Sequence, residues 1–212
     1  MRNKKALASN IFNILEKEYE SAECTLVYKT PLELLIATIL AAQCTDVRVN
    51  IVTKDLFSKY KDVSDFANAN VNELEQCIKS TGLYKNKAKN IISACKILVD
   101  KFDGVVPNNM DDLLMLPGVG RKTANLILGE VFGKDAVVVD THCARLTNRM
   151  GLTQNKDPKK IEYDLKKILD GEVQLKFCHL MVYHGRSVCK SRLPMCSECT
   201  IKDICQKNIE SK

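Results

Sequence analysis

Four cysteines near the C-terminus, Cys189, Cys196, Cys199 and Cys205, constrain this chain more than any other feature. Their spacing, Cys-x6-Cys-x2-Cys-x5-Cys, puts four thiols into one short loop that can wrap a metal ion or an iron–sulfur cluster. Ten cysteines in all could instead suggest a secreted disulfide framework. The other six (Cys24, Cys44, Cys77, Cys95, Cys143 and Cys178) are scattered, however, and several fall among apolar residues at helical spacing. Thiols in that setting behave as small buried hydrophobes. The basic start Met1 to Lys5 is followed by no apolar signal-peptide region, which predicts a cytoplasmic protein and clustered thiols that bind metal. Structural zinc sites pair two short Cys-x2-4-Cys knuckles, and here Cys196–Cys199 alone has that form. Spacing by itself leaves zinc and a [4Fe–4S] cluster balanced.

Periodicity is helical nearly throughout. Ile11, Ile14, Leu15 and Tyr19 share a face, and Thr30-Pro31-Leu32-Glu33 reads as a capping box with proline at the first helical position. The following run, Leu34 to Leu40, is apolar on most faces and predicts a central buried helix. Leu74, Cys77 and Ile78 repeat the i, i+3, i+4 pattern with Gly82 as a stop. Ala88, Ile91, Ile92, Cys95 and Leu98 form a further stripe, and Asp157-Pro158 opens a helix carrying Ile161, Leu165 and Leu169. Ala136 to Val139 is strand-like but too short and isolated to imply a sheet. The expectation is an all-α chain of roughly ten helices with short connections. Its longest apolar run, Leu34 to Ala42, is too short to span a bilayer, so no membrane partner is expected.

Net charge is +6, compatible with a polyanion partner but weak as a signal alone. The excess gathers around the cysteine loop, where Arg186, Lys190, Arg192, Lys202, Lys207 and Lys212 outnumber Glu198, Asp203 and Glu210. About 70 residues upstream lies Leu116-Pro117-Gly118-Val119-Gly120-Arg121-Lys122, which joins the end of one helix to the start of the next. Gly118 and Gly120 permit positive φ and close backbone approach. The N–H groups and positive dipole at a helix start form an anion site that a DNA phosphate fits without base-specific contact. An ordinary helix–helix turn has the same composition. A lysine on such a first turn is favoured as a nucleophile when partly desolvated, whereas most lysines there are simply solvated. Asp140, closing the Val137–Val139 run, is by its position an N-cap and also a carboxylate available to a cleft.

Leu116 to Asn125, Val139-Asp140-Thr141-His142 and the four-cysteine spacing together resemble the endonuclease III family of helix-hairpin-helix DNA glycosylases, in the same order from about Thr30 to Cys205. The resemblance implies a two-lobed all-α fold: a six-helix lobe over 24–134 bearing the hairpin, and a cluster lobe built from 1–23 and 135–212. It implies a [4Fe–4S] cluster on Cys189, Cys196, Cys199 and Cys205, and a cleft for DNA flanked by Lys122 and Asp140. Lys122 would be the nucleophile that forms a Schiff base with the sugar, and Asp140 its carboxylate partner. Gln43, in Ala41-Ala42-Gln43-Cys44-Thr45-Asp46, resembles the residue that fills the gap left by a flipped nucleotide. Leu83, in Thr81-Gly82-Leu83-Tyr84, resembles a wedge in the base stack. The residue-level alternatives are a helix C-cap for Gln43 and a core position for Leu83. Many relatives carry serine at Ala41.

The expected partner is therefore double-stranded DNA containing damaged pyrimidines or abasic sites, bound by a monomer at the nucleoid. Lys190 and Arg192 offer cations to phosphate. His184 and His142 are expected to be packing residues. Two other readings use some of the same residues. A monofunctional glycosylase of the adenine-mismatch branch lacks the catalytic lysine, and Lys122 argues against it. A helix-hairpin-helix binding module needs the hairpin and cysteines but neither Lys122 nor Asp140.

Overall fold

A computed structural model describes residues 3–209, and they contain eleven α-helices and two 3-10 turns with no strand. In chain order the first six helices are α1 (Lys4–Glu18), α2 (Pro31–Leu40), α3 (Asp46–Lys59), α4 (Val63–Ala67), α5 (Val71–Ile78) and α6 (Tyr84–Phe102). The rest are α7 (Met110–Leu114), α8 (Arg121–Phe132), α9 (Thr141–Arg149), α10 (Pro158–Ile168) and α11 (Gln174–Ser187). The basic start Met1-Arg2 and the tail charges Glu210 and Lys212 lie outside the described residues. Packing divides the chain into a continuous unit, Cys24–Phe132, and a second one formed by Met1–Glu23 together with Gly133–Lys212.

In the continuous unit α2 is the centre, with every residue from Leu34 to Leu40 buried. Its start is set by Thr30, whose Oγ1 accepts the Glu33 N–H at 3.2 Å, and by Pro31, which lacks the N–H that a first helical position would leave unpaired. The Glu33 carboxylate reaches back to the Lys29 N–H, so the expected box closes one residue earlier than the motif prescribes. Around α2, α3 presents Val49, Val52 and Leu56, and α6 presents Ala88, Ile91, Ala94, Cys95 and Leu98. The α8 residues Ala124, Ile127 and Leu128 complete the shell. Cys77 departs from the sequence reading: it is exposed. The short α5 buries only Leu74 and Ile78, an i, i+4 pair, and at 100° per residue Cys77 falls off the flank of that narrow stripe.

The second unit is closed by α1, which buries Leu7, Ala8, Ile11, Phe12 and Leu15 and packs on α10 and α11. In turn α11 buries Phe177, Cys178, Leu180 and Met181 and packs on α9. The strand-like Ala136 to Val138 is buried and lies outside any helix, and its neighbour is a helix. Its Val138 N–H donates to Cys178 Sγ at 3.2 Å, so a thiol takes the place of a sheet partner. Among the described residues no helix is long and apolar enough to cross a membrane.

If α2 is the centre of its core, Leu35→Ala is expected to lower the unfolding free energy by roughly 2–5 kcal/mol. Loss of the cap in Thr30→Ala should cost about 1 kcal/mol. A denaturant titration ranking the two substitutions the other way would contradict this arrangement.

Candidate functional site

The hairpin between α7 and α8 is anchored by its apolar residues. Leu116 and Val119 are buried, and the Val119 N–H donates to the Leu116 carbonyl at 3.1 Å. Its two glycines do different work. Gly118 has φ +83°, and a Cβ there would lie 3.1 Å from Asn90 Cβ and Nδ2, so the missing side chain is what lets the turn sit on α6. Gly120 does not have positive φ, and a Cβ there would meet nothing within 4 Å. It leaves the backbone ahead of α8 open on its outer side, while its carbonyl accepts the Ala124 N–H at 2.9 Å. Lys122 stands exposed on the first turn of α8, at the positive end of that helix's dipole.

Gln43 and Leu83 are both exposed, and both hold left-handed backbone, with φ of +54° and +48°. Leu83 is 53% exposed, which removes the core reading. Gln43 is not the C-cap of α2 either; that position is Ala41, and Gln43 lies in the turn beyond it. A leucine in this conformation costs about 1–2 kcal/mol and persists only where its surroundings impose it.

Asp140 belongs to the other unit, with the cysteines. Its Oδ1 accepts the Cys143 N–H at 2.7 Å and so caps α9. A carboxylate has further acceptor capacity on its second oxygen. Half-buried His142, two residues on, makes a 3.2 Å contact through Nδ1 with the Arg145 guanidinium. The four clustered cysteines line a common pocket, and none of the ten cysteines is in a disulfide. Burial pushes the Cys199 and Cys205 thiols up, and the neighbouring thiols add to the effect. Four soft sulfur donors facing one pocket fit a cationic centre that would relieve this crowding. Among the described residues, no three of His, Cys, Asp or Glu converge closely enough to hold a single metal ion.

Two arginines of α9 hold this loop, and sequence reasoning missed both. Arg145 donates to the carbonyls of Gly185 and Cys189 at 3.3 and 3.1 Å. Arg149 donates to Cys189 Sγ at 3.4 Å and to the carbonyls of Lys190 and Ser191 at 2.7 and 3.0 Å. Their i, i+4 spacing was the available signal, but a basic pair at that spacing ordinarily marks a solvated face. Lys190 and Arg192 are exposed. His184 is a buried packing residue, as expected, and also more: its Nδ1 lies 3.1 Å from Tyr19 Oη and its Nε2 3.4 Å from Cys199 Sγ. Burial holds its pKa below the usual histidine value.

Residues 36–170 match the HhH-GPD superfamily of base excision DNA repair proteins. An endonuclease III of Synechocystis sp. is 50% identical over 97% of this chain and 94% of its own length. That of Bacillus subtilis is 43% identical over 89% and 87%. A solved endonuclease III–DNA trapped covalent intermediate, 42% identical, superposes with a TM-score of 0.92 over 98% of this chain and 97% of its own. The chain belongs to the endonuclease III family, and it is accordingly a DNA glycosylase and abasic-site lyase of base excision repair.

Arg149→Ala removes three charge-assisted contacts from the cysteine loop. Tryptic cleavage after Lys190 or Arg192 is expected to accelerate by about tenfold or more, since each such contact is worth more than the free energy of one decade. An unchanged cleavage rate would mean that the loop is held by other means.

Proposed function

We propose that this chain excises oxidised pyrimidines from double-stranded DNA and incises the resulting abasic site, with Lys122 as the nucleophile and Asp140 as its carboxylate partner. The observation that carries the reading is the exposed Lys122 on the first turn of α8, just after a hairpin whose backbone is open at Gly120. A DNA phosphate bound by the N–H groups of that turn and by the backbone at Gly118 and Gly120 places the chain's amine near a deoxyribose. The target nucleotide is extruded from the stack, with Gln43 filling the vacated space and Leu83 parting the neighbouring bases.

The Lys122 amine forms a bond to C1′ while the bond from C1′ to the base breaks, and the base leaves with that electron pair and takes a proton from water. Asp140 stabilises the cationic character that develops on the sugar and accepts the proton released by the amine. Asp140 returns that proton to O4′ as the C1′–O4′ bond breaks, and the open sugar is left as the protonated Schiff base, which acidifies the C2′ proton. Loss of that proton expels the 3′ phosphate oxygen by β-elimination, and water then releases the enzyme. That a structurally similar endonuclease III has been captured as a trapped covalent intermediate with DNA supports this route. Lys190 and Arg192, exposed in the cysteine loop, supply additional phosphate contacts. The enzyme works as a monomer in the cytoplasm, at the nucleoid where its substrate is.

Cys189, Cys196, Cys199 and Cys205 are proposed to hold a [4Fe–4S] cluster. Four thiols lining one pocket, in a chain of the endonuclease III family, support this reading. Its contribution is structural: it ties the loop that carries Lys190 and Arg192. Purified protein should contain iron and absorb broadly from the near-ultraviolet into the visible. A colourless protein with stoichiometric zinc would overturn the assignment.

Borohydride trapping on duplex DNA containing thymine glycol tests the catalytic pair. A covalent adduct is expected with wild type and not with Lys122→Ala, which should still bind DNA. Asp140→Asn keeps an oxygen to cap α9 but loses the charge. It should keep its melting temperature while base release falls by about 10²-fold or more. Full trapping by Lys122→Ala would remove Lys122 as the nucleophile.

A further inference from the structure

Lys87 is the least expected residue of the continuous unit. It lies on α6, yet it is only 3% exposed, with its charged end inside the protein. Burying an ammonium is costly unless its donors are answered, and here they are. Its Nζ donates to the carbonyl of Leu40, the last residue of α2, at 2.8 Å, and to that of Thr81 at 2.8 Å. Its backbone N–H donates to the Leu83 carbonyl at 3.0 Å. The Leu40 carbonyl lies at the negative end of the α2 dipole, which favours a cation there.

These three carbonyls belong to the two segments that carry the proposed duplex-entering residues. Leu40 is three residues before Gln43, and Thr81 is two before Leu83. Both Gln43 and Leu83 hold left-handed backbone that their own side chains disfavour. Something must impose that conformation, and Lys87 is bonded to both segments. We infer that Lys87 is a positioning residue: one buried ammonium couples the turn after α2 to the turn before α6, so that Gln43 and Leu83 meet the duplex as a fixed pair. This rests on the reading of Gln43 and Leu83 as residues that enter DNA. Burial lowers the lysine's pKa, while the nearby Cys44 thiol favours its charge. Both forms of the amine carry at least two N–H donors, so the clamp does not depend on the charge alone.

The test separates unstacking from chemistry. A duplex carrying 2-aminopurine beside a tetrahydrofuran abasic analogue reports unstacking as a rise in fluorescence. Lys87→Met, which keeps the apolar stem but has no donor, is expected to lose most of that rise. It should also slow base release from thymine-glycol duplex by about tenfold or more. Strand cleavage of single-stranded abasic DNA, where there is nothing to unstack, should stay within about twofold of wild type. Simple destabilisation would lower all three together, and that outcome would overturn the proposal. Lys87→Arg, with donors for both carbonyls, is expected to recover the fluorescence response. Should Lys87→Met fail to fold, Lys87→Gln decides, because its shorter amide can reach only one carbonyl. A folded Gln variant with the full wild-type response would overturn the proposal. Gln43→Ala and Leu83→Ala run beside it. If both unstack as wild type does, the reading of the two loops fails and the clamp falls with it. If either loses the response while folded Lys87→Met keeps it, the loops stand and the clamp alone is wrong.

Discussion

Leu40, the last residue of α2, is fully buried, and a buried carbonyl must be answered from within the protein. Much of the continuous unit follows from the lysine that answers it. Lys87 ties the end of α2 to α6 and to the 3-10 turn over Lys79–Thr81. Three residues along, on the same α6, Asn90 provides the surface on which Gly118 seats the hairpin. The hairpin sets where α8 begins, and α8 carries Lys122. A buried hydrogen bond and a missing Cβ thus fix the reference frame of an exposed amine, and no loop in that sequence of contacts is left to find its own position.

The fold was legible because its main signals are local. Proline and threonine at 30–31, the aspartate at 157 and the apolar stripes at 74–78, 88–98 and 161–169 each specify a helix from a few neighbouring residues. The strand-like run at 136–139 was read as too short to form a sheet, and the chain indeed has no strand among the described residues. The error at Cys77 came from treating the apolar face of a short helix as wider than two residues need. Gly118 and Gly120 look alike in sequence, but only the neighbour across the turn distinguishes them, and Asn90 is far away along the chain.

The site was legible in its chemistry and not in its supports. Lys122, Asp140 and the cysteines stand out by type and spacing. Arg145, Arg149 and Lys87 do not, because each acts on main-chain carbonyls, and a carbonyl has no residue identity to read. Spacing does put Lys87 on the buried stripe, since Lys87, Ile91, Ala94 and Leu98 recur at i, i+4, i+7 and i+11, but a charged side chain is ordinarily assigned to the solvent face whatever its register. His184 shows the same limit: its packing role could be anticipated, but the sulfur beside it could not.

The second unit is assembled from the two ends of the chain, and this has a consequence for its biosynthesis. During translation α1 emerges first, but the helices it packs on, α10 and α11, emerge last. At about 5–20 residues per second the interval is on the order of ten seconds or more. Throughout it the face bearing Leu7, Ile11 and Leu15 has no partner of its own chain, while Cys24–Phe132 is contiguous and can collapse as it is made. The nascent protein therefore carries a sticky leading helix tethered to a finished body. Only when α11 leaves the ribosome can the leading helix find its place, and the four cysteines follow after it.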